Sequence, residues 1–304
     1  MNVAYSAGHK KELAILKSQL NEELWDLLAD NGCWIAGGAC TSIFSNKEIN
    51  DIDVYFPSKT AFAKVTAELF GLDYELILKN KRITQTWEDR HEASISLSSN
   101  WDAGIIKHVT QKSLMLQSGD TLVQLINHKF FDSPGEIFDS FDFTINMCAY
   151  DMTGKLFIYH EDFFKHLAQR YLKFNPNTSY PFNSSLRVQK YKERGYTISK
   201  SEFTRILLAI AKKNMNSWYD LIEELGGMYG EQPEDVFDMT KKFTLDEALE
   251  QLDNIEKQPT KKFIFQGRLY NYLDVVKLQP HAFPKEIVEL IPVESSDKEI
   301  DNLW

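Results

Sequence analysis

The chain of 304 residues is long enough for a sizeable core, with one main domain and one or two smaller parts. Its net charge of −10 argues against a protein that coats nucleic acid non-specifically. The N-terminus lacks the basic and apolar regions of a signal peptide, and no apolar run reaches membrane-spanning length. We therefore expect a cytoplasmic protein with no membrane partner.

The three cysteines, Cys33, Cys40 and Cys148, form no CxxC pair and are odd in number. This pattern favours buried free thiols over a disulfide framework or a zinc site. Leucines at helical spacing predict an amphipathic helix over residues 9–30, which ends at Asn31-Gly32. The apolar run that follows, residues 33–36, predicts a short buried strand.

The stretch that follows this strand combines a glycine pair with two carboxylates. Gly37-Gly38 is followed by small or hydroxylic residues up to Ser42, and Asp51-Ile52-Asp53 then opens a second apolar run. On a strand, Asp51 and Asp53 point to one face while Ile52 points into the core. The two carboxylates repel each other unless a cation lies between them, and oxygen ligands favour Mg²⁺.

The glycine pair lets backbone N–H groups approach a triphosphate closely, and Ser42 can add a hydroxyl donor. A lone glycine pair is usually only a turn, and a lone DxD is usually a solvated strand edge. In this order and spacing, however, the two elements together predict a site for a metal ion and a nucleotide.

This order of strand, GG, polar loop, DxD and strand resembles the signature of the nucleotidyltransferase superfamily that includes DNA polymerase beta. The resemblance implies an α+β fold, in which a mixed sheet flanked by helices forms the head and an α-helical neck and C-terminal region follow. It also implies that Asp51 and Asp53 are the catalytic, Mg²⁺-binding residues. Gly37, Gly38 and Ser42 would then bind the nucleotide phosphates.

Further elements follow in chain order. The pattern predicts a helix over Lys59–Phe70 with Ser58 as its N-cap, and then four strands, over Tyr74–Lys79, Ile105–Val109, Ser113–Gln117 and Thr121–Asn127. Many enzymes of the superfamily carry a third carboxylate on a later strand, and the inward polar residue here is Gln124. The segment between the first two of these strands contains Trp87, Arg90, His91 and Trp101, which could stack on a base. An ordinary surface loop with aromatic anchors is the favoured interpretation of this segment.

A second motif makes the resemblance more specific, because it points to one group of enzymes within the superfamily. The words DFTIN and AYD, within residues 141–151, are similar to the RRDFTINAxAY motif of bacterial CCA-adding enzymes and poly(A) polymerases. That motif contacts the ribose and phosphates of the nucleotide, which implies nucleotide-binding roles for Asp142, Thr144 and Asn146. Ser140 and Phe141 replace its two arginines. The triphosphate then needs another cation, for which Lys129 and Arg187 are the candidates.

The predicted helix over Phe182–Gly195 resembles the helix that opens the neck in this family and usually carries EDPLR. Leu186 and Arg187 match that pattern, whereas Asn183 and Ser184 occupy the acidic positions. Arg187 is therefore either a donor to a base or phosphate, or a solvated helix arginine.

Three regions are predicted: a catalytic head over residues 1–175, a helical neck over 176–230 and an acidic helical region over 231–304. Helices are expected over Ser201–Leu225, over Thr244–Ile255 with a capping box at Thr244 and Glu247, and over Phe263–Val276. The tail from Val293 onward is expected to be mobile, with Trp304 as an anchor.

The predicted activity is metal-dependent transfer of NMP from an NTP, either ATP or CTP, to an acceptor hydroxyl. The resemblance implies the 3′ end of an RNA such as tRNA as that acceptor. Two alternatives stay open. One is toxin-like transfer of NMP to a protein or a tRNA, as in small stand-alone members that occur in phages and toxin–antitoxin systems. The other is a binding or regulatory protein that has lost catalysis, which the departures at Gln124, Ser140, Phe141 and Ser184 favour.

Overall fold

A computed structural model describes residues 2–71, 73–79, 106–109, 112–118, 121–226, 237–256, 262–265 and 268–271. The chain divides into two compact units. The first comprises Met1–Met215 and Tyr219–Glu231, and the second comprises Asn216–Trp218 and Gln232–Trp304.

The first unit is built from strands and helices in mixed order. In chain order they are β1 (Val3–Ser6), α1 (Lys10–Lys17), α2 (Glu22–Asp30), β2 (Trp34–Ala36), α3 (Gly38–Phe44), β3 (Asp51–Tyr55), α4 (Lys59–Phe70), α5 (Tyr74–Lys79), β4 (Ile106–Val109), β5 (Ser113–Ser118), β6 (Thr121–Ile126), α6 (Pro134–Ser140), a 3₁₀ turn (Thr144–Asn146), β7 (Cys148–Asp151), β8 (Leu156–His160), α7 (Phe163–Gln169), α8 (Pro181–Glu193), α9 (Lys200–Ala211) and α10 (Trp218–Gly226).

The strands of the first unit form one mixed sheet in the order β1-β8-β7-β2-β3-β6-β5-β4. β3 and β6 run parallel, and the other neighbouring pairs run antiparallel. Alternation of side chains divides the apolar residues between the two faces of the sheet. The larger core, which includes Ile35, Ile52 and Val54, packs against α1 to α4, whereas the smaller core, which includes Ala36 and Tyr55, packs against α6.

The α+β fold class predicted from the sequence is confirmed. The mixed sheet is flanked by helices on both faces, and α8 to α10 follow it as predicted. Ser58 caps α4 by accepting a hydrogen bond from the Ala61 N–H at 3.1 Å, and Gly32 has a positive φ of 66° at the end of α2. Cys33, Cys40 and Cys148 are buried free thiols, as predicted.

Three elements predicted within residues 1–226 were wrong or incomplete. Tyr74–Lys79 is a helix, α5, rather than a strand, because Tyr74, Ile77 and Leu78 face the core at helical spacing. The helix predicted over residues 9–30 is divided into α1 and α2 by Asn21, whose side chain caps α2 through the Leu24 N–H at 2.7 Å. The helix predicted over Ser201–Leu225 is likewise divided, into α9 and α10.

The second unit contains helix α11 (Leu245–Glu256) and a hairpin of β9 (Lys262–Phe265) and β10 (Arg268–Asn271). Thr244 caps α11 through the Glu247 N–H at 3.0 Å, as predicted. The helix predicted over Phe263–Val276 was wrong where the structure describes it, because β9 and β10 pair there as antiparallel strands, with Phe263 opposite Tyr270. Residues 272–276 lie outside the described residues. Among the residues that the structure describes, no helix is long and apolar enough to cross a bilayer.

Candidate active site

The turn between β2 and α3 has a backbone that only glycine adopts without strain. Gly37 has φ 85° and ψ −131°, and α3 begins directly after it at Gly38. The Gly37 N–H donates to the Cys148 carbonyl on β7 at 3.0 Å, which holds the turn against the centre of the sheet. Ser42 is half-buried on α3, one turn beyond Gly38 and therefore on the same face of the helix.

Asp53 faces this turn. It pairs in register with Ala36 on β2, the residue that precedes Gly37. A methyl group at Gly37 would lie 3.6 Å from Oδ2 of Asp53, so the carboxylate and the glycine backbone border the same small space. Asp51 is half-buried at the start of β3 and shares the face of Asp53, while Ile52 between them is fully buried in the larger core.

Gln124 lies beside Asp53 on the parallel neighbour β6, where the two are register partners. It is buried, and its amide nitrogen donates to Ser113 Oγ on β5 at 2.7 Å. The structure therefore places a neutral amide, and not a third carboxylate, next to the Asp51/Asp53 pair.

Phe141 closes the other side of the space. Its Cζ would lie 3.5 Å from a methyl group at Gly37, and its ring packs edge-on against Tyr55 at a centroid distance of 5.8 Å. Only 4% of Phe141 is exposed. The space at Gly37 is thus bordered by an apolar ring on this side and by the Asp53 carboxylate.

A second group of predicted residues forms a closed hydrogen-bonded ring. Arg187 Nη1 contacts Asp142 Oδ2 at 3.0 Å, and its Nη2 donates to the Tyr191 hydroxyl at 3.1 Å. That hydroxyl donates to Asn146 Oδ1 at 2.8 Å, and the Asn146 amide donates back to Asp142 Oδ1 at 3.0 Å. Burial raises the pKa of Tyr191, so its hydroxyl keeps its proton at neutral pH.

The ring is joined to the glycine turn through α3. The Thr41 hydroxyl donates to the Ile145 carbonyl at 2.6 Å, next to Asn146, and Thr41 lies on α3 four residues after Gly37. Phe141, directly before Asp142, makes the second connection through its contact at Gly37. The structure therefore brings Gly37, Asp53, Asp142 and Asn146 into one continuous region.

Two predicted residues lie elsewhere. Thr144 is buried against α7, where its hydroxyl is 2.7 Å from His166 Nδ1. Lys129, a candidate cation for the triphosphate, lies 5.3 Å from the ring of Phe131. It borders a separate cavity of about 130 Å³ together with His128, Tyr180 and others.

The cleft beside Arg187 is small. Its volume is about 20 Å³, and it is lined by Ser140, Phe141, Asp142, Thr178, Tyr180, Asn183, Ser184 and Arg187. This is room for roughly one water molecule. A nucleobase therefore cannot enter between Asn183 and Arg187 unless these side chains move.

Mg²⁺ fits the residues at the glycine turn in part. Asp51 and Asp53 supply oxygen ligands, and Mg²⁺ is commonly bound by one or two carboxylates together with substrate phosphates. No cluster of three or more His, Cys, Asp or Glu side chains suited to a metal occurs in the part of the chain that the structure describes. A Mg²⁺ ion held by these two carboxylates would take its remaining ligands from water or from substrate phosphates.

Tyr191 and Thr41 were not predicted from the sequence. Tyr191 follows Arg187 by four residues on a helix, so a shared face was a usable signal. For Thr41 the sequence holds no comparable signal, because its partners lie in a distant motif. Trp87, Arg90, His91, Trp101 and Trp304 lie outside the described residues.

Comparison with known proteins gives one family and one curated relative. Residues 8–170, more than half of the chain, match the family model described as Gad2, Gabija anti-defense 2 family protein. A protein named Gabija anti-defense 2 from Bacillus phage SPbetaL7 is 37% identical over 239 residues, which cover 78% of this chain and 52% of that protein.

Solved structures with a similar chain course are CCA-adding enzymes. One is the Thermotoga maritima enzyme complexed with tRNA, at a TM-score of 0.46 and 12% identity, covering 84% of this chain and 55% of that one. Another was solved with ATP, at a TM-score of 0.46 and 12% identity, covering 84% and 54%. The chain thus spans about half the length of the curated relative and of these structures.

Proposed function

Because the chain belongs to the Gabija anti-defense 2 family, we propose that it counters a bacterial defence system as a nucleotidyltransferase. In this proposal the protein transfers NMP from ATP or CTP to an acceptor hydroxyl. Residues 1–175 form the catalytic head and residues 176–230 form the neck. The phage relative supports the biological setting, and the arrangement at the glycine turn supports the chemistry.

The observation that carries the proposal is the position of the two carboxylates. Asp51 and Asp53 share one face of β3, and Asp53 Oδ2 borders the same space as the positive-φ backbone of Gly37. Burying a carboxylate at such a point costs desolvation free energy. Their position is explained if they act on a bound, charged substrate.

The transfer makes one bond and breaks one. The acceptor oxygen attacks the α-phosphorus, the bond to the oxygen bridging the α- and β-phosphates breaks, and pyrophosphate leaves while the hydroxyl proton passes to solvent. Asp51 and Asp53 would hold Mg²⁺, which when bound neutralises charge on the phosphates. The Gly37-Gly38 backbone and Ser42 would hold the β- and γ-phosphates, and Asp142 and Asn146 would orient the ribose. Positioning and charge neutralisation supply most of the catalysis.

The acceptor proposed first is the 3′ end of an RNA, since the second motif resembles that of RNA-extending enzymes. A protein hydroxyl in the defence system is the alternative acceptor. The net charge of −10 favours this alternative slightly, because it gives RNA no general electrostatic attraction.

A non-catalytic binding protein is the second candidate. Phe141 covers the space at Gly37, Gln124 replaces a carboxylate beside Asp53, and the cleft at Arg187 has no room for a base. These three features favour a protein that retains the fold and has lost turnover.

The experiment separates these candidates by following the label. The purified protein is incubated with each α-³²P-labelled NTP and Mg²⁺, once with total RNA and once with the purified proteins of a Gabija system. Labelled RNA supports the first acceptor, and labelled protein supports the second. No label in either, with every NTP and with Mn²⁺ in place of Mg²⁺, contradicts the transferase and leaves the binding protein.

A further inference from the structure

Helix α11 in the second unit presents a ridge of three exposed leucines. Leu245, Leu249 and Leu252 are 58%, 61% and 41% exposed. Their spacing of four and three residues aligns them along one side of the helix. This leucine ridge has the spacing with which an amphipathic helix anchors in the groove of another protein.

A second exposed ridge runs beside the first. Asp246, Glu250 and Asp253 each follow one of the leucines by a single position and have the same spacing, so they form a parallel acidic ridge about 100° around the helix. All three acids are exposed. The outward surface of α11 is therefore apolar along one line and negative along the next.

The side of α11 that flanks the leucine ridge away from the acidic ridge is already buried. Ala248 and Gln251 are buried. The Gln251 side chain accepts from the Asp238 N–H at 2.6 Å and donates to Glu247 at 2.9 Å. Glu247 in turn is paired with Lys241 at 2.6 Å. Among the residues that the structure describes, α11 is thus held by one face, while the leucine and acidic ridges are exposed.

The charges on α11 indicate which kind of partner can bind to this surface. Nucleic acid and anionic membranes are repelled by the acidic ridge. A second copy of the chain is disfavoured too. Antiparallel pairing of the leucine ridges would set acid against acid, and parallel pairing would need the face of Ala248 and Gln251, which is buried. A protein groove with an apolar floor and Lys or Arg along one side satisfies both ridges.

We propose that the leucine and acidic ridges of α11 dock this protein into a basic-edged apolar groove on a protein of the Gabija defence system. The identity of the partner rests on the anti-defence function proposed above. The surface itself does not depend on nucleotidyl transfer, since every residue in it lies in the second unit, whereas Asp51 and Asp53 lie in the first.

The test measures binding of the full chain to the purified Gabija proteins by biolayer interferometry at two salt concentrations. One variant carries Leu245→Gln, Leu249→Gln and Leu252→Gln, and a second carries Asp246→Asn, Glu250→Gln and Asp253→Asn. A matched control carries Leu207→Gln and Leu208→Gln, two leucines of α9 that are 50% and 59% exposed. A fourth variant carries Asp51→Asn and Asp53→Asn.

The leucine variant should bind at least tenfold more weakly, and the acidic variant should bind more weakly and with less dependence on salt. The α9 control and the Asp51/Asp53 variant should bind like the wild type. Absence of wild-type binding, or unchanged binding by the leucine variant, overturns the proposal. So does a fall in Tm of more than about 5 °C in the leucine variant, since the ridge would then pack within the protein. If docking holds but the Asp51/Asp53 variant still transfers NMP, only the catalytic assignment fails.

Discussion

The guanidinium of Arg187 and the carboxylate of Asp142 are 3.0 Å apart, although the two residues belong to different motifs. Asp142 is 4% exposed, and Arg187 keeps 32% of its side chain in solvent. Asn183 and Ser184, which precede Arg187 on α8, carry no acid, and Asp142 supplies one to Arg187 from outside that helix. The pair closes the hydrogen-bonded ring with Tyr191 and Asn146.

The substitution Asp142→Asn should lower the free energy of unfolding by about 1–2 kcal/mol, because it removes the charge that Arg187 faces. The loss should be smaller than for a fully buried pair, since water reaches part of Arg187. Urea denaturation measures it. The control is Asp162→Asn, which breaks the exposed Lys165–Asp162 pair at 3.1 Å and should cost less than about 1 kcal/mol. Equal losses in both variants would contradict a structural role for the ring.

Substitution by alanine should have opposite effects on the free energy of unfolding at Gly37 and at Gly38. Gly37→Ala should cost about 1–3 kcal/mol, because its φ of 85° is strained for any residue with a Cβ. Gly38→Ala should leave stability unchanged or raise it by up to about 1 kcal/mol, since no atom lies within 4 Å of the added methyl group and Gly38 begins a helix. Thermal and urea unfolding report both values. Similar effects at the two positions would show that the turn is not constrained as described.

Replacing the ring of Phe141 with a smaller side chain should improve nucleotide binding. Phe141→Leu opens space at Gly37 and should raise the affinity for Mg²⁺-ATP or Mg²⁺-CTP about threefold, which corresponds to about 0.7 kcal/mol. Isothermal titration calorimetry measures the affinity. Phe131→Leu is the control, since Phe131 is as buried as Phe141 and its ring also packs edge-on against Tyr55, at a centroid distance of 5.9 Å. Equal changes in the two variants would mean that Phe141 does not obstruct the site.

His166 should make the protein less stable in acid. Burial lowers the pKa of His166 below its ordinary value of 6.5, and its Nδ1 is 2.7 Å from the Thr144 hydroxyl. The unfolded chain therefore binds the proton more readily, so the contribution of His166 is present above pH 6.5 and is lost as the pH falls toward the folded-state pKa. The free energy of unfolding, measured between pH 7.5 and about 5, should fall less steeply in His166→Gln. An unchanged slope would assign the acid sensitivity to other groups.

The sequence predicted the fold class and the central elements of the fold more accurately than the contacts among the candidate site residues. The alternation in Asp51-Ile52-Asp53 fixed which side chains face the core, because strand geometry is local. α5 was missed because a six-residue apolar segment fits either period, and only packing of Tyr74, Ile77 and Leu78 on the core decides. The Arg187–Asp142 contact and the position of Phe141 depend on how α8 and α6 pack against the rest of the protein. This packing cannot be inferred from the residues near each position in a single sequence.

The most direct measurement is transfer of α-³²P-labelled NMP by the wild type and by the Asp51→Asn/Asp53→Asn variant, in the presence of Mg²⁺, RNA and the Gabija proteins. A control variant, Asp26→Asn/Asp30→Asn, changes two exposed aspartates of α2. The wild type and the control should label an acceptor, and the Asp51/Asp53 variant should lose at least about a hundredfold in rate while unfolding at a similar temperature. Equal labelling by all three proteins, or no labelling by the wild type, would contradict the assignment of Asp51 and Asp53 as the catalytic pair.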